Sequence, residues 1–380
     1  MTINEKIKYV LEHLRDVPDE FKKSTETMKN WLLKKDNEGY YPEIYIAMSN
    51  RTGGKTYFAA YLLLKLYETF GTKFAIFTRT GKNLGKVAEG IFSIVLPEFK
   101  NWSIEEKVVI DNVYSEIYIT YEHEVEDDKE DNASMKTEKC REKIGYVMSL
   151  KASSEIKNIS STFYDTDIMF FDEFQTDQYL KDEPDKFVRI HLSVARGNGL
   201  PSRYVPVIML SNSLSSVNPY FELWELSSKI QDDTKRYREP GLSVLRFINE
   251  EVAEEQEKSR FNIACKNSKV LKSSIDNSWL CDSRSCICKP EKSWGNCYYI
   301  ATFLKNDNKY GVRLYDNGFM YVNRSIDPTS TNIYTMSDDP EENVELAKYS
   351  VILKTVKAAF VKGKARFSDL SCKCDILNWL

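Results

Sequence analysis

The chain has 380 residues, 42% of them hydrophobic, enough for two or three separately packed cores, which excludes a disordered or fibrous protein. Its formal net charge of −4 leaves any nucleic-acid contact to local basic patches. No run approaches the roughly 18 consecutive apolar residues of a membrane span, and "MTINEKIKYVLEHL" lacks the apolar core of a signal peptide, so a cytosolic chain with no membrane contact is expected.

In chain order, Ile3, Ile7, Val10, Leu11 and Leu14 fall on one face of a helix that Pro18 stops, and a second amphipathic piece surrounds Trp31 and Leu33. "EIYIA", residues 43–47, reads as a strand, and the small-residue loop "MSNRTGGKT" follows it. "TYFAAYLLLKLYETFG" predicts a long helix closed by Gly71, and "KFAIFTR" a buried strand. Strand, loop, helix, strand is a βαβ unit, which implies an α/β fold with a parallel sheet. Residues 122–143 are densely charged and read as an exposed or mobile loop. The apolar runs "IGYVMSL", "DIMFF" and "YVPVIML" predict the remaining core strands.

The pattern weakens between residues 226 and 292, where a charged helix, "INEEVAEEQEKSRF", precedes a loop-like stretch; this region reads as a linker or lid. It separates an N-terminal domain, 1–225, from a C-terminal one, 293–380, which opens as an antiparallel meander with turns at "KNDNKYG" and "DNG" and ends in one or two helices. The eight cysteines read as reduced thiols. Cys281, Cys286, Cys288 and Cys297 offer four thiolates without the paired C-x-x-C knuckles of structural zinc, and Cys372 with Cys374 is a weaker pattern still.

The loop carries the chemistry. A P-loop needs backbone N–H groups turned on the phosphates, a lysine reaching the β and γ phosphates and a hydroxyl on Mg²⁺. Gly53, Gly54, Lys55 and Thr56 supply these, while Ser49 stands at the first glycine of G-x-x-x-x-G-K-[ST]. Ser49, Asn50, Arg51 and Thr52 complete the candidate ATP loop. Downstream, "DIMFFDE" ends a hydrophobic strand in two carboxylates; lying next to the loop's strand, it would present Asp172 to Mg²⁺ beside Thr56, and Glu173 to the water attacking the γ-phosphate. A water-activating glutamate favours hydrolysis over transfer. "VIMLSNS" ends in Ser211 and Asn212, placed to sense the γ-phosphate or the attacking water, although a strand running into a Ser/Asn turn is commonplace.

With "SNRTGGKT", "FFDEF", "LSNSLSSVNPYF" and "MYVNRSIDPTSTNIYTMSDD", the chain resembles the DNA encapsidation ATPases of small protein-primed tailed bacteriophages, compact relatives of the terminase large subunit. The resemblance runs from about residue 43 to the C-terminus and implies a P-loop NTPase of the additional-strand, catalytic-glutamate type joined to an RNase H-like C-terminal domain. It also implies an ATP- and Mg²⁺-dependent motor in the host cytoplasm: a homo-oligomeric ring, expected to be pentameric, at the portal of a procapsid, moving double-stranded DNA inward, with a packaging RNA as an open question. In that family Lys55 and Thr56 match the Walker A lysine and hydroxyl, Asp172 and Glu173 the Walker B pair, and Ser211, Asn212 and Ser213 the coupling motif. Ser49 and Thr52 depart from the family's glycines, and Arg51 is placed to contact the γ-phosphate in its own subunit.

A ring motor wants an arginine supplied in trans. Arg196 matches the family's position best and Arg203 is the alternative; either can also be an ordinary surface arginine. Asp316, Asp327, Asp338 and Asp339 are the carboxylates a nuclease would draw on, but most stand in turns, and a vestigial nuclease domain binding nucleic acid is the favoured reading. "KYSVILKTVKAAFVKGKAR", residues 348–366, has six basic and no acidic side chains; it and Arg79, Lys82 and Lys86 are candidate phosphate contacts, or solvated basic faces. The competing functions are a terminase that also cuts DNA, a nucleotide-switched assembly scaffold, and a helicase.

Overall fold

A computed structural model describes all residues except 15–16, 127–134, 197–201, 228, 231–232, 283–284, 306–307, 336–343, 347–349 and 378–380. They form two units, Met1–Leu214 with Asp232–Leu280, and Ser215–Gln231 with Cys281–Leu380.

The first unit begins with α1 (Ile3–Glu12) and α2 (Asp19–Leu32). Thr2 and Glu5 cap α1 reciprocally, and Ile7, Val10 and Leu11 bury its apolar face. β1 (Ile44–Ser49) leads through the loop into α3 (Lys55–Phe70), which Gly71 closes at φ 63°. β2 (Lys73–Thr78), α4 (Val87–Phe92), β3 (Ser103–Ile110), β4 (Tyr114–Glu126), β5 (Met135–Ser149) and α5 (Ser153–Asn158) follow. Then come β6 (Thr166–Phe171), α6 (Glu183–Ala195) and β7 (Val207–Ser211). After α7 (Pro219–Leu223), which belongs to the second unit, β8 (Arg236–Glu239), β9 (Leu242–Phe247), α8 (Glu250–Lys258), α9 (Arg260–Ala264) and α10 (Lys269–Asp276) return to the first.

The nine strands run in the order β3-β4-β5-β2-β6-β7-β1-β9-β8. The middle, from β5 to β9, is parallel, and antiparallel pairs form both flanks. Apolar runs in β1, β2, β6 and β7 bury almost completely, as strands covered on both faces must. Residues 226–292, read from the sequence as a linker or lid, are shared between the units: 232–280 supplies β8, β9 and three helices to the first, and the rest goes with the second. Residues 122–143 are also not simply a loop, since Glu122–Glu126 and Met135–Lys143 lie in the β4–β5 ladder. The part at 127–134 lies outside the described residues.

In the second unit, β10 (Cys297–Lys305), β11 (Asn308–Tyr315), β12 (Met320–Asn323), β13 (Ile333–Thr335), β14 (Glu345–Leu346), α11 (Val351–Val361), β15 (Ala365–Phe367) and α12 (Leu370–Leu377) form a sheet ordered β14-β13-β10-β11-β12-β15. β10, β11 and β12 pair antiparallel, and β13 and β14 continue parallel to β10, which is the RNase H-like arrangement. Phe303, Tyr310, Val312, Val322, Val356 and Phe367 are fully buried in its core.

Candidate functional site

The loop after β1 is shaped by its small residues. Gly54 holds φ 83°, and a Cβ there would stand 2.9 Å from the Phe21 ring; a Cβ on Gly53 would stand 2.7 Å from Ser49 Oγ. No side chain caps the start of α3, so its first amides point at the position an anion would take. Ser49, at the first loop position, is buried and donates to Asn50 O at 3.0 Å. Asn50 pairs with the Asn249 backbone both ways, accepting from its N–H at 3.0 Å and donating to its carbonyl at 3.2 Å. The Arg51 N–H donates to Ser274 O at 2.9 Å.

The sequence places the strand of Asp172 next to that of the loop, but β7 lies between β1 and β6. That inserted strand puts Ser211 and Asn212 between the loop and the carboxylates, and the first turn of α3 spans the gap of two strand spacings, about 10 Å. Lys55 Nζ donates to Asn212 Oδ1 at 2.8 Å, and Thr56 Oγ1 donates to Asp172 Oδ2 at 3.0 Å. Burial pushes the Lys55 pKa down against the pull of Glu173 and Asp172. Burial, then the neighbouring Glu173 charge, pushes Asp172 up to about 6, although Lys55 and the Thr56 hydroxyl oppose the shift. Glu173 is exposed and holds φ 53°, a left-handed conformation uncommon for a residue with a Cβ. Arg51, Glu173, Gln175, Asn212 and Ser213 line a cavity of about 200 Å³.

Ser211 is fully buried with no hydrogen-bond partner for Oγ among the described residues, whereas Asn212 reaches Lys55 directly. Arg79, a candidate phosphate contact in the sequence, donates through Nη1 to Glu173 O at 2.7 Å and through Nη2 to Phe174 O, while its Nε lies 3.1 Å from the buried Glu183 carboxylate. It braces the backbone that aims Glu173. Gln175, missed in the sequence, accepts from Leu214 N at 2.8 Å and donates to Met48 Sδ at 3.3 Å, tying the ends of β1, β6 and β7 together. The only sequence signal for it is its place two residues after Glu173.

Arg196 closes α6 and is exposed. Arg203 is engaged within its own chain, with its Nη2 3.5 Å from Val194 O and its Nη1 3.7 Å from Asp167. In the second unit, Asp316 accepts from Asn296 N at 2.7 Å and Asp327 from Thr329 N and Oγ1, so both serve turns. Asp338 and Asp339 lie outside the described residues. All eight cysteines are free thiols, and no cluster of three or more His, Cys, Asp or Glu side chains fit to hold a metal occurs among the described residues.

Strand order, loop and carboxylate pair together define a P-loop NTPase unit of the additional-strand, catalytic-glutamate type, joined to an RNase H-like unit. The chain belongs to the podovirus DNA encapsidation protein (Gp16) family, whose model matches residues 140–378 and so includes Asp172, Glu173, Ser211 and Asn212. It is 28% identical over 229 residues, 59% of this chain, to the DNA packaging protein of Bacillus phage PZA; the match spans 65% of that relative's length. Its fold is similar to a chain of the bacteriophage Phi-29 viral genome packaging motor assembly, with a TM-score of 0.62 at 22% identity over 89% of this chain and 94% of that one. A similar likeness to the Phi-28 gp11 DNA packaging motor has a TM-score of 0.55 at 15% identity, covering 92% and 96% of the two chains.

Proposed function

We propose that this chain is the ATPase subunit of a motor that drives double-stranded viral DNA into a procapsid. The observation that carries the reading is the meeting of Lys55 with Asn212 and of Thr56 with Asp172, one residue from the exposed carboxylate of Glu173. Lys55 would leave Asn212 for the β and γ phosphates of ATP, and Asn212, freed, would report the γ-phosphate. Glu173 would take a proton from the attacking water, held in place by the Arg79 brace. The Thr56 hydroxyl and Asp172 carboxylate, already 3.0 Å apart, fit a Mg²⁺ ion, which would neutralise phosphate charge there.

Family membership supports the wider proposal of a homo-oligomeric ring, pentameric by resemblance, at the portal of a procapsid in the host cytoplasm, with a packaging RNA as a further candidate partner. Arg196, exposed where Arg203 is engaged, is the arginine we assign to the neighbouring subunit's site. The turn roles of Asp316 and Asp327 disfavour the DNA-cutting alternative.

The test is steady-state ATP hydrolysis with and without double-stranded DNA, comparing the native chain with Glu173→Gln. Hydrolysis that DNA alters, and that the substitution lowers about 10²- to 10⁴-fold while ATP still binds, is expected. Binding without turnover in the native ring would put the assembly scaffold in its place.

A further inference from the structure

Thr52, in the loop between β1 and α3, holds φ 57°. A β-branched residue is a genuine outlier in that region, because its Cβ crowds the following carbonyl. The loop must be held there by something outside itself. Gln256, on α8, supplies the contact: its Nε2 donates to Thr52 Oγ1 at 2.6 Å and to Arg51 O at 3.3 Å. A carbonyl oxygen only accepts, so the Arg51 bond requires the NH₂ end of the amide to face the loop. That orientation leaves Gln256 Oε1 buried with no partner among the described residues, a cost the two donated bonds must outweigh.

We infer that Gln256 is a positioning residue for ATP binding: it is a strut that holds the Thr52-bearing loop in its phosphate-cradling shape, replacing the conformational freedom of a glycine. Gln256 acts through Thr52 and Arg51 and touches no substrate. A loop with glycine at position 52 would not need it. The inference rests on the reading of this loop as an ATP site.

The experiment uses the full chain in four forms: native, Gln256→Ala, Thr52→Gly and the double variant. Binding of ATP with Mg²⁺, kcat and KM are measured on each, together with hydrogen exchange of the amides at residues 51–54 without nucleotide. Gln256→Ala is expected to weaken ATP binding about tenfold in the native background, with kcat at saturation within about twofold, and to change affinity less than about twofold when Thr52 is already glycine. Loop exchange should rise on Gln256→Ala only in the Thr52 background. An equal loss in both backgrounds would make Gln256 a general support of α8 and overturn the proposal, as would no loss in the native background. If the native chain binds no ATP, the functional reading fails, and the exchange measurement alone then decides whether the strut exists.

Discussion

Asp172 and Glu173 are neighbours in the chain with opposite surroundings. Asp172 is half-buried with its pKa raised from 3.8 to about 6, and Glu173 is exposed. The folded form therefore binds the Asp172 proton more tightly than the unfolded chain does. Its favourable contribution is complete below 3.8 and is lost as pH rises through about 6, so at neutral pH the ionised group costs the nucleotide-free protein about 2 kcal/mol, after allowance for its partial exposure. Asp172→Asn should accordingly raise stability by about that amount at pH 7.5, and by much less at pH 4, while abolishing Mg²⁺-dependent hydrolysis. Denaturant titrations at both pH values check the first half, and a loss of stability at pH 7.5 would mean that Lys55's attraction outweighs the burial. Arg79→Ala should destabilise the same end of the sheet. It frees the Glu173 and Phe174 carbonyls and removes the cation beside the fully buried Glu183 carboxylate, so a loss of about 3 kcal/mol is expected. If Arg79 only contacted DNA, stability would be unchanged and DNA affinity alone would fall.

At the scale of elements, what the sequence revealed tracks how each element is stabilised. β1, α3, β6 and β7 are legible because they bury unbroken apolar runs. β9 is not legible, although it pairs with β1 along its whole length, because Ser243 and Arg246 interrupt its run. Both are buried with tertiary partners: Trp31 Nε1 donates to Ser243 Oγ at 2.8 Å, and Arg246 donates to Asn277 O at 2.8 Å while stacking on Trp279. The charged outer half of β4 and β5 misled in the same way, since backbone pairing from Tyr121↔Cys140 to Glu126↔Met135 asks nothing of hydrophobicity. The join between that antiparallel flank and the parallel core runs through Gly145, where a Cβ would stand 2.3 Å from Phe74 O. Gly145→Ala should cost about 3 kcal/mol and loosen the β2–β5 ladder, seen as a lowered melting temperature and faster exchange of its amides. Native-like exchange there would show that the ladder can yield.

For the whole molecule, the proposed task needs nonspecific DNA binding and communication between copies. Lys354, Lys357, Lys362 and Lys364 are exposed along and just beyond α11, and Lys364 and Arg366 lie 4.5 and 4.6 Å from the Phe319 ring. Replacing Lys354, Lys357 and Lys362 by Ala should weaken binding equally for unrelated DNA sequences and reduce the dependence of log K on log salt by about 3. An unchanged slope would return these lysines to a solvated basic face. Arg196→Ala subunits should bind ATP normally yet depress the hydrolysis of native subunits mixed with them, whereas Arg203→Ala should mainly affect stability through Asp167 and the end of α6.

The loop with its lysine and hydroxyl, the carboxylate pair and the βαβ core are legible in the chain alone, because each depends on residue types held close together in it. The separation of the loop's strand from that of Asp172 by β7, the bracing of the Glu173 backbone by Arg79, and the contacts of Gln175 and Gln256 with the surrounding loops emerge only on folding. Strand order and these polar contacts join residues remote in the chain, and local periodicity carries no signal for which of many Arg, Gln and Asn side chains will meet. The same reason explains why the sequence shows Thr52 only as a departure from the glycine that the resemblance implies, while in the folded chain it has a hydrogen-bond partner on α8.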